Sequence, residues 1–573
     1  MMTQFVLNRP VRWAIGFVGL VYLASLFFLP ADGMWTVDNS DKYLQVQALT
    51  SSGLRSTAFN WGGQALAPEP ECRPIPFPYA VPFDGRLHSF YSPVFALAST
   101  LPFKLFGFRG LVLCPLLAAL FMLVGLASLA GLLGLNRRAQ GWVVLAAGLA
   151  TPVWFYSVTF WEHSLAVCFL VWSVVAAGMY GKTGTAKMLA CAAWLCALAV
   201  TFRDDLYLFF PLMLGMLLWL RRPTWIEAAR ATLLFVAVAV SSLVPLWFIN
   251  HHYTGSAFGM HLNQYFDSIG GISGYIQGRP AIFHYLLTAL HSSLPLALAL
   301  AAPIIFLLVV CPRMSPARRR WAMPIAGVWA AIPLVLGLWE LFQGLSPIEQ
   351  LTSTNSLFYA SPIVALGLMR AGCGEFSWQQ DRLFGSLARL VLAYAILYGF
   401  AVPNPANTVG IHWGNRFLLA AYPLLSLLAV VNILSSFKGT MNRFWPLLVT
   451  FVVVLSIAAQ VYSINLLART ERFFARLNDT VEARDPSTVV SDVWWIPLQL
   501  YRLFPTRPIF LVKDPSCWQS LAPKLKEAKI DRVLDIRWNR GQDAIPASAE
   551  RIDDDGLDFY GVTLQTRRLG NPE

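Results

Sequence analysis

Long apolar runs recur along most of the chain and are separated by short polar connections. Many of these runs hold about 18 to 22 residues, which is the length that an α-helix needs to cross a bilayer. The pattern predicts about thirteen membrane-spanning helices within residues 1–465. The predicted spans are 12–30, 109–135, 140–160, 164–181, 186–201, 206–220, 229–249, 291–311, 321–341, 355–370, 386–402, 416–435 and 444–465.

Polar sequence is concentrated in a first loop at about 31–108, a second segment at about 250–290 and a tail, 466–573. In the tail, "STVVSDVWW", "RPIFLVKD" and "DRVLDIRW" have strand patterns, and "SCWQSLAPKLKEAKI" has a helical one. This order predicts a small α/β domain with parallel pairing. The fold class is therefore an all-α polytopic membrane domain, 1–465, followed by an α/β domain, 466–573. The tail could bind a partner or only pack on the membrane face.

The composition excludes an ordinary soluble protein. The chain is 56% hydrophobic and only 13% charged, whereas soluble domains carry about 25% charged residues. The apolar run at 11–29 is too long for a cleaved signal and lacks a small-residue cleavage site, so we expect a retained first helix. The net charge of +12 indicates no nucleic-acid partner, because the basic residues form no patch interleaved with aromatics.

Lysine and arginine collect in alternate connections, and such connections are usually cytoplasmic. The N-terminus is then cytoplasmic, and an odd number of spans places the tail outside the inner membrane. The basic connections contain Arg9 and Arg12; Arg137 and Arg138; Lys182 and Lys187; Arg221, Arg222 and Arg230; Arg313, Arg318, Arg319 and Arg320; Arg370, Arg382 and Arg389; and Lys438 and Arg443.

Of the eight cysteines, only Cys72 and Cys517 fall clearly in predicted outer segments. Outer compartments are oxidising, so we hypothesise a disulfide that ties the first loop to the tail; two free thiols are the alternative. The spacing of cysteine and histidine is not that of a zinc site.

The stretch "TVDNSDKYLQVQALTSSG" follows the first span and contains Asp38 and Asp41. Positions three apart lie on one face of a helix, where each carboxylate raises the pKa of the other. Both aspartates could instead cap a helix N-terminus, which favours negative charge.

Further polar groups lie at the predicted outer ends of spans, where ionisable side chains are costly unless they face protein or water. Each has an ordinary alternative: loop polarity, a structural hydrogen bond, an internally compensated salt bridge among Arg203, Asp204 and Asp205, or snorkelling of Arg416. The groups are Asp84, Arg86, His88 and Tyr91 in "DGRLHSFYSP"; Glu162 and His163 in "FYSVTFWEHSLAV"; Arg203 in "TFRDDLYLF"; His252 and Tyr253 in "NHHYTGSAFG"; and His412, Trp413 and Arg416 in "GIHWGNRFLLAAYPLL".

Residues 1–465 resemble the GT-C superfamily of membrane glycosyltransferases, including the protein mannosyltransferases and the aminoarabinose and arabinofuranosyl transferases. Three stretches are similar to family motifs: "DGRLHSFYSPVFALASTLPF", "NHHYTGSAFG" and "HWGNRFLLAAYPLL". The acidic "VDNSDKYLQ" also has the family's position after the first helix. Asn415 stands where the family usually has proline, and Ala420 and Ala421 replace another usual pair.

The resemblance implies that a sugar passes, with inversion, from a polyprenyl-phosphate donor to an acceptor hydroxyl. It implies that an aspartate of the first loop acts as general base: Asp41, oriented by Asp38, or the reverse. The leaving phosphate needs arginine, histidine or a divalent cation. Phosphate candidates are Arg416, Arg203, Arg86 and His163, and metal candidates are Glu162 and His163. Substrate-binding candidates are Asp84, His88, Tyr91, Glu162, His252, Tyr253, His412 and Trp413.

The sugar and the acceptor stay open. Arabinofuranose, aminoarabinose, mannose and other hexoses fit equally, as do glycan, lipid and protein acceptors. The alternative function is a non-enzymatic flippase or transporter of lipid-linked sugars. Such carriers place polar residues at the membrane midplane, whereas here they lie at the predicted outer edge.

Overall fold

The structure is a computed structural model. It describes residues 8–66, 72–76, 79–260, 271–287, 357–358, 360–368, 378–402, 412–437, 444–538, 550–557 and 561–569. The predicted spans 291–311 and 321–341, and part of 355–370, lie outside the described residues.

The described part of the chain is mainly helical and contains six helices long and apolar enough to cross a membrane. The protein is therefore a multi-pass membrane protein, as its apolar runs predict. The helices of the first half are α1 Arg9–Phe28, α2 Val37–Ser51, α3 Val94–Phe106, α4 Leu113–Leu132, α5 Arg137–Leu149, α6 Val153–Ser157, α7 His163–Thr183, α8 Ala186–Phe202, α9 Phe209–Arg221 and α10 Trp225–Thr254. Those that follow are α11 Gly271–Leu287, α12 Ile363–Gly367, α13 Trp378–Ala401, α14 Ala421–Phe437, α15 Phe444–Ala483, α16 Ile496–Gln499 and α17 Pro515–Glu527.

Two predicted helix boundaries are wrong. The predicted span 140–160 is two helices, α5 and α6, because Pro152 has no N–H to continue the ladder and stands at the start of α6. The predicted span 444–465 continues to Ala483. Its extension is amphipathic, with Phe474, Leu477 and Val481 buried at helical spacing.

The chain divides into two compact units. The helical unit comprises Met1–Phe27, Val112–Leu246 and Tyr265–Asn465, and the mixed unit comprises Phe28–Leu111, Trp247–Gln264 and Leu466–Glu573. The mixed unit thus joins the predicted first loop, the end of α10 and the tail in one body.

The tail of the mixed unit forms a five-stranded sheet in the order β4-β3-β5-β7-β6. Strands β3 and β4, and β3 and β5, are parallel, which confirms the predicted α/β arrangement. A β6–β7 hairpin adds antiparallel strands that the sequence pattern did not predict. The strands are β3 Val489–Ser491, β4 Ile509–Leu511, β5 Arg532–Trp538, β6 Glu550–Leu557 and β7 Val562–Arg568.

A disulfide joins Cys72 to Cys517 and confirms the hypothesis drawn from their predicted compartment. Their Cα atoms are 5.6 Å apart, within the range that disulfides require. Both cysteines belong to the mixed unit. Nearby, the Trp61 indole N–H donates to the Ile509 carbonyl oxygen at 3.1 Å, and the Gly62 N–H donates to the Phe504 carbonyl oxygen at 3.0 Å. The first loop and the tail are therefore linked covalently and by hydrogen bonds.

Candidate functional site

Helix α2 carries both candidate aspartates, and it begins with a cap that does not use them. Thr36 is the N-cap residue, and its backbone N–H donates to the Asn39 side-chain oxygen at 3.0 Å. This reciprocal arrangement is a form of capping box. Asp38 lies in the first turn, where the helix dipole favours a carboxylate. Asp41 lies one turn further on, so capping does not account for it.

The burial of α2 is unusual for so polar a helix. Eleven of its fifteen residues are buried, including Asp38, Ser40, Asp41 and Lys42. Buried polar groups are costly unless hydrogen bonds or charges compensate them. The surroundings of α2 must therefore supply polar partners on several sides.

Asp41 is fully buried and is the strongest electrostatic anomaly of this helix. Burial raises the pKa of its carboxyl well above the ordinary value, and the neighbouring Asp38 raises it further. The Ser89 hydroxyl and the Lys42 ammonium lower that pKa in part. A carboxylate in this state takes up a proton more readily than an exposed one, which suits a general base.

Strand β2 Arg86–Ser89, which lies within the first loop, contacts α2. The Gln45 side-chain amide donates to the Tyr91 carbonyl oxygen at 3.0 Å. The Lys42 ammonium lies 4.1 Å from the centre of the Tyr91 ring, a cation–π contact. The end of strand β2 and the turn after it thus place Ser89 beside Asp41, and Tyr91 beside Lys42 and Gln45.

Of the other candidates of this stretch, Asp84 and Arg86 lie at the opposite end of β2, and His88 immediately precedes Ser89. Strand β1 Ala80–Phe83 pairs with β2 across an Asp84–Gly85 turn, in which both residues have positive φ. Asp-Gly favours such a tight hairpin turn, so the turn alone accounts for Asp84. Asp84 and Arg86 are exposed there. His88 is buried and its Nδ1 lies 3.0 Å from the Thr57 hydroxyl; burial and Arg86 lower its pKa.

The end of α10 contributes a residue that the sequence analysis missed. Asn250 is buried, and its side-chain oxygen accepts from the Ser92 hydroxyl at 2.9 Å, beside Tyr91. The candidate His252 is exposed and parallel to the Phe248 ring, and the Tyr253 hydroxyl donates to the Leu54 carbonyl oxygen at 2.6 Å. The sequence signal for Asn250 is an asparagine in "INHHYT", directly after a predicted span. An amide that becomes buried there needs specific hydrogen-bond partners.

In the helical unit, Arg203 is the centre of a buried polar cluster. Its guanidinium donates to the Asp205 carboxylate at 2.8 Å, which confirms the salt bridge considered from the sequence, and lies 3.6 Å from Glu162. It also contacts both ring nitrogens of His163, with 3.2 Å to Nδ1. The structure thus brings together Glu162, His163 and Arg203, which the sequence analysis named from two separate stretches.

Arg416 lies beside this cluster. Its guanidinium is 5.1 Å from the centre of the Trp161 ring and 4.9 Å from that of Phe417, while the Arg203 guanidinium is 5.7 Å from the same Phe417 ring. Arg416 opens a short 3₁₀ turn, Arg416–Leu418, that is capped by Asn415, whose side-chain oxygen accepts from the Leu418 N–H. The unusual asparagine of this motif thus has a structural role.

His412 and Trp413 precede this turn and are both buried. The His412 Nδ1–H donates to the Gly414 carbonyl oxygen at 2.7 Å, which fixes its tautomer. The Trp413 indole N–H donates to the Gln460 side-chain oxygen at 3.0 Å. These bonds hold the chain in the bend that presents Arg416.

Glu162 and His163 do not fit a metal site in this structure. Arg203 already lies against the His163 nitrogens and near a Glu162 oxygen, where a cation would have to bind. Zinc sites have at least three protein ligands, and no group of three histidine, cysteine, aspartate or glutamate side chains that could hold a metal ion occurs among the described residues.

The structure is similar to two solved structures of ArnT from Cupriavidus metallidurans. The one bound to undecaprenyl phosphate has a TM-score of 0.50 at 12% identity, with 96% of this chain and 97% of that chain covered. The apo form has the same TM-score and identity, with 98% of each chain covered. This likeness confirms the predicted GT-C fold.

An oligosaccharyltransferase from Archaeoglobus fulgidus is also similar, with 91% of this chain and 69% of that chain covered at 12% identity. Its TM-score of 0.45 is too low to support an argument. The sequence matches no protein-family model and no curated protein sequence.

Proposed function

We propose that this protein is an inverting glycosyltransferase that moves a sugar from a polyprenyl-phosphate donor to an acceptor hydroxyl. The observation that carries the proposal is Asp41, a fully buried carboxylate in a chain with the GT-C fold. Burying a carboxylate lowers the free energy of unfolding. A buried ionisable group with a shifted pKa is typical of a catalytic site. ArnT, whose fold this chain shares, was solved with undecaprenyl phosphate bound, and this supports a lipid-phosphate donor here.

In the proposed reaction, the acceptor oxygen attacks the anomeric carbon as its proton passes to the Asp41 carboxylate. The bond between that carbon and the phosphate oxygen breaks, and polyprenyl phosphate leaves with the electron pair. One displacement inverts the configuration at the anomeric carbon. Asp38 orients Asp41 or the acceptor.

We assign Arg416 to the donor phosphate. A guanidinium can bind a phosphate through two parallel hydrogen bonds. Cation–π contacts with the Trp161 and Phe417 rings orient the Arg416 guanidinium. Arg203 is a weaker candidate, since Glu162 and Asp205 already compensate its charge. The exposed position of Arg86 at a hairpin turn makes it weaker still.

The sugar is a pentose, such as arabinofuranose or aminoarabinose, or a hexose, such as mannose; the acceptor is a glycan, lipid or protein on the outer side. The experiment is to incubate the purified protein in nanodiscs with each radiolabelled polyprenyl-phosphate sugar. Membranes from a strain lacking the gene supply the acceptor. Label in the acceptor fraction and released polyprenyl phosphate support the proposal. Movement of donor between leaflets of liposomes without either product would favour a carrier instead.

A further inference from the structure

The face of α2 next to Asp41 is held by the tail of the chain. Consecutive residues of a helix point about 100° apart, so Ser40 and Asp41 face different neighbours. The Ser40 hydroxyl donates to the Gln499 side-chain oxygen at 3.0 Å. Ser40 and Gln499 are both almost completely buried. This bond joins the turn that carries Asp41 to a residue 459 positions away.

The residues after Gln499 hold the same part of the mixed unit. The Tyr501 ring packs edge-on against Tyr43, with centroids 5.5 Å apart, and its hydroxyl donates to the Asp32 carbonyl oxygen. The Arg502 guanidinium forms a 2.7 Å ion pair with the Asp32 carboxylate. Residues 499–502 therefore contact both the approach to α2 and its second turn.

This segment is itself fixed. The Asn478 side-chain amide donates to the Gln499 carbonyl oxygen and to the Phe474 carbonyl oxygen, each at 2.8 Å. Asn478 and Phe474 belong to the long helix α15, and Asn478 is fully buried. A rigid support of this kind keeps a catalytic group in its productive geometry.

We infer that Gln499 is a positioning residue for Asp41. The α/β tail then serves the site by fixing the rotation of helix α2 about its own axis and its position within the mixed unit. The inference rests on the proposed function, in which Asp41 is the base. It gives the tail a role different from partner binding or from covering the membrane face. Gln499 acts through Ser40 and the helix and touches no reacting atom.

The test removes each end of the bond. Gln499→Met keeps nearly the same length without an acceptor, and Ser40→Ala removes the donor with little change in volume. Misplacement of a catalytic group by about 1 Å costs up to about 100-fold, so each variant should lose about 10- to 100-fold in kcat, with the donor KM unchanged. The double variant should be no slower than either single one, because both remove the same bond.

Gln519→Met is the matched control, since Gln519 is exposed on helix α17 of the same domain. It should keep wild-type kcat. The acidic limb of the kcat–pH profile should also shift in Gln499→Met and Ser40→Ala, because the surroundings of Asp41 change. A residue that only supported folding would lower the amount of active protein without moving that limb.

Wild-type kcat and an unmoved limb in both Ser40→Ala and Gln499→Met would overturn the inference, as would losses that simply add in the double variant. If Gln499→Met fails to fold, the result with Ser40→Ala decides. If Asp41→Asn transfers sugar normally, what fails is the assignment of Asp41 as the base, on which the inference rests. Hydrogen exchange then judges the positioning alone: Gln499→Met should speed the exchange of the amides of residues 37–51, and unchanged exchange contradicts it.

Discussion

Replacing Asp41 with asparagine should abolish sugar transfer and, at the same time, stabilise the folded protein at neutral pH. The substitution is nearly isosteric and removes only the ability to take up a proton as a base. Loss of a general base typically costs about 10²- to 10⁴-fold in rate. Donor affinity should change little, because the base acts on the acceptor hydroxyl.

The stability gain follows from the buried position of the carboxyl. Burial raises the pKa of Asp41 in the folded protein above its unfolded value of about 3.9. Such an acid binds its proton more tightly in the folded state, so its contribution to stability is fully present below the unfolded pKa. That contribution is lost as pH rises through the folded pKa. Asparagine does not titrate, so the advantage of Asp41→Asn should grow as pH rises.

The measurement combines a kcat–pH profile with thermal unfolding of both proteins over a range of pH. The acidic limb of wild-type kcat should lie above the ordinary pKa of aspartate, since only the deprotonated form accepts the proton. Asp531→Asn, an exposed position of the same unit, is the control and should change neither quantity. Full activity of Asp41→Asn, or a lower unfolding temperature at neutral pH, would refute the reasoning.

Three further outcomes are expected. Arg416→Lys keeps the charge but loses the two-pronged geometry, so the donor KM should rise while the unfolding temperature holds. Arg203→Ala should instead destabilise the fold by about 3 to 5 kcal/mol, because Glu162 and Asp205 lose their buried partner; equal effects of the two changes on stability would contradict this division. Cys72→Ser should lower the unfolding temperature, and adding Cys517→Ser should lower it no further, since one bond is lost in either case.

The orientation in the membrane stays a prediction and has a direct test. The free cysteines are first removed, and a single cysteine is introduced at the exposed position 513. It should react with a membrane-impermeant reagent in cells whose outer envelope is permeabilised and whose inner membrane is intact. A cysteine at the exposed position 138 should react only after the inner membrane is permeabilised. The reverse pattern would invert the assignment made from the positive-inside rule.

Within the described residues, the apolar runs predict where long membrane helices occur, because their signal is local. An apolar run of sufficient length forms a helix in the bilayer whatever its neighbours are. The errors also have local causes: Pro152 divides a predicted span, and an Asp84–Gly85 turn that favours a hairpin was treated as loop polarity. Strand β6, "ERIDDDGL", was missed because its charges resemble a loop, and pairing with β7 outweighs that preference.

The environment of the candidate base could not be predicted in the same way. Read alone, "VDNSDKYLQVQALTS" is a polar helix suited to a surface, yet the structure buries most of it. The polar partners that make this burial tolerable come from distant sequence: Tyr91 contacts Lys42, and Gln499 bonds to Ser40. No periodicity within residues 37–51 encodes either partner.

This dependence on distant residues has a consequence for how the mixed unit can vary. Ser40 in the first loop needs a hydrogen-bond acceptor at Gln499 in the tail. In the same way, Asp32 needs a positive charge at Arg502, and Cys72 needs a thiol at position 517 to form the disulfide. Exchanging the first loop alone with that of a similar protein would break these pairs, and leaving the buried Gln499 side chain unmatched would cost about 1 to 3 kcal/mol. Exchanging the loop and the tail together preserves the pairs. We therefore expect that substitutions at these positions of the first loop need matching substitutions in the tail.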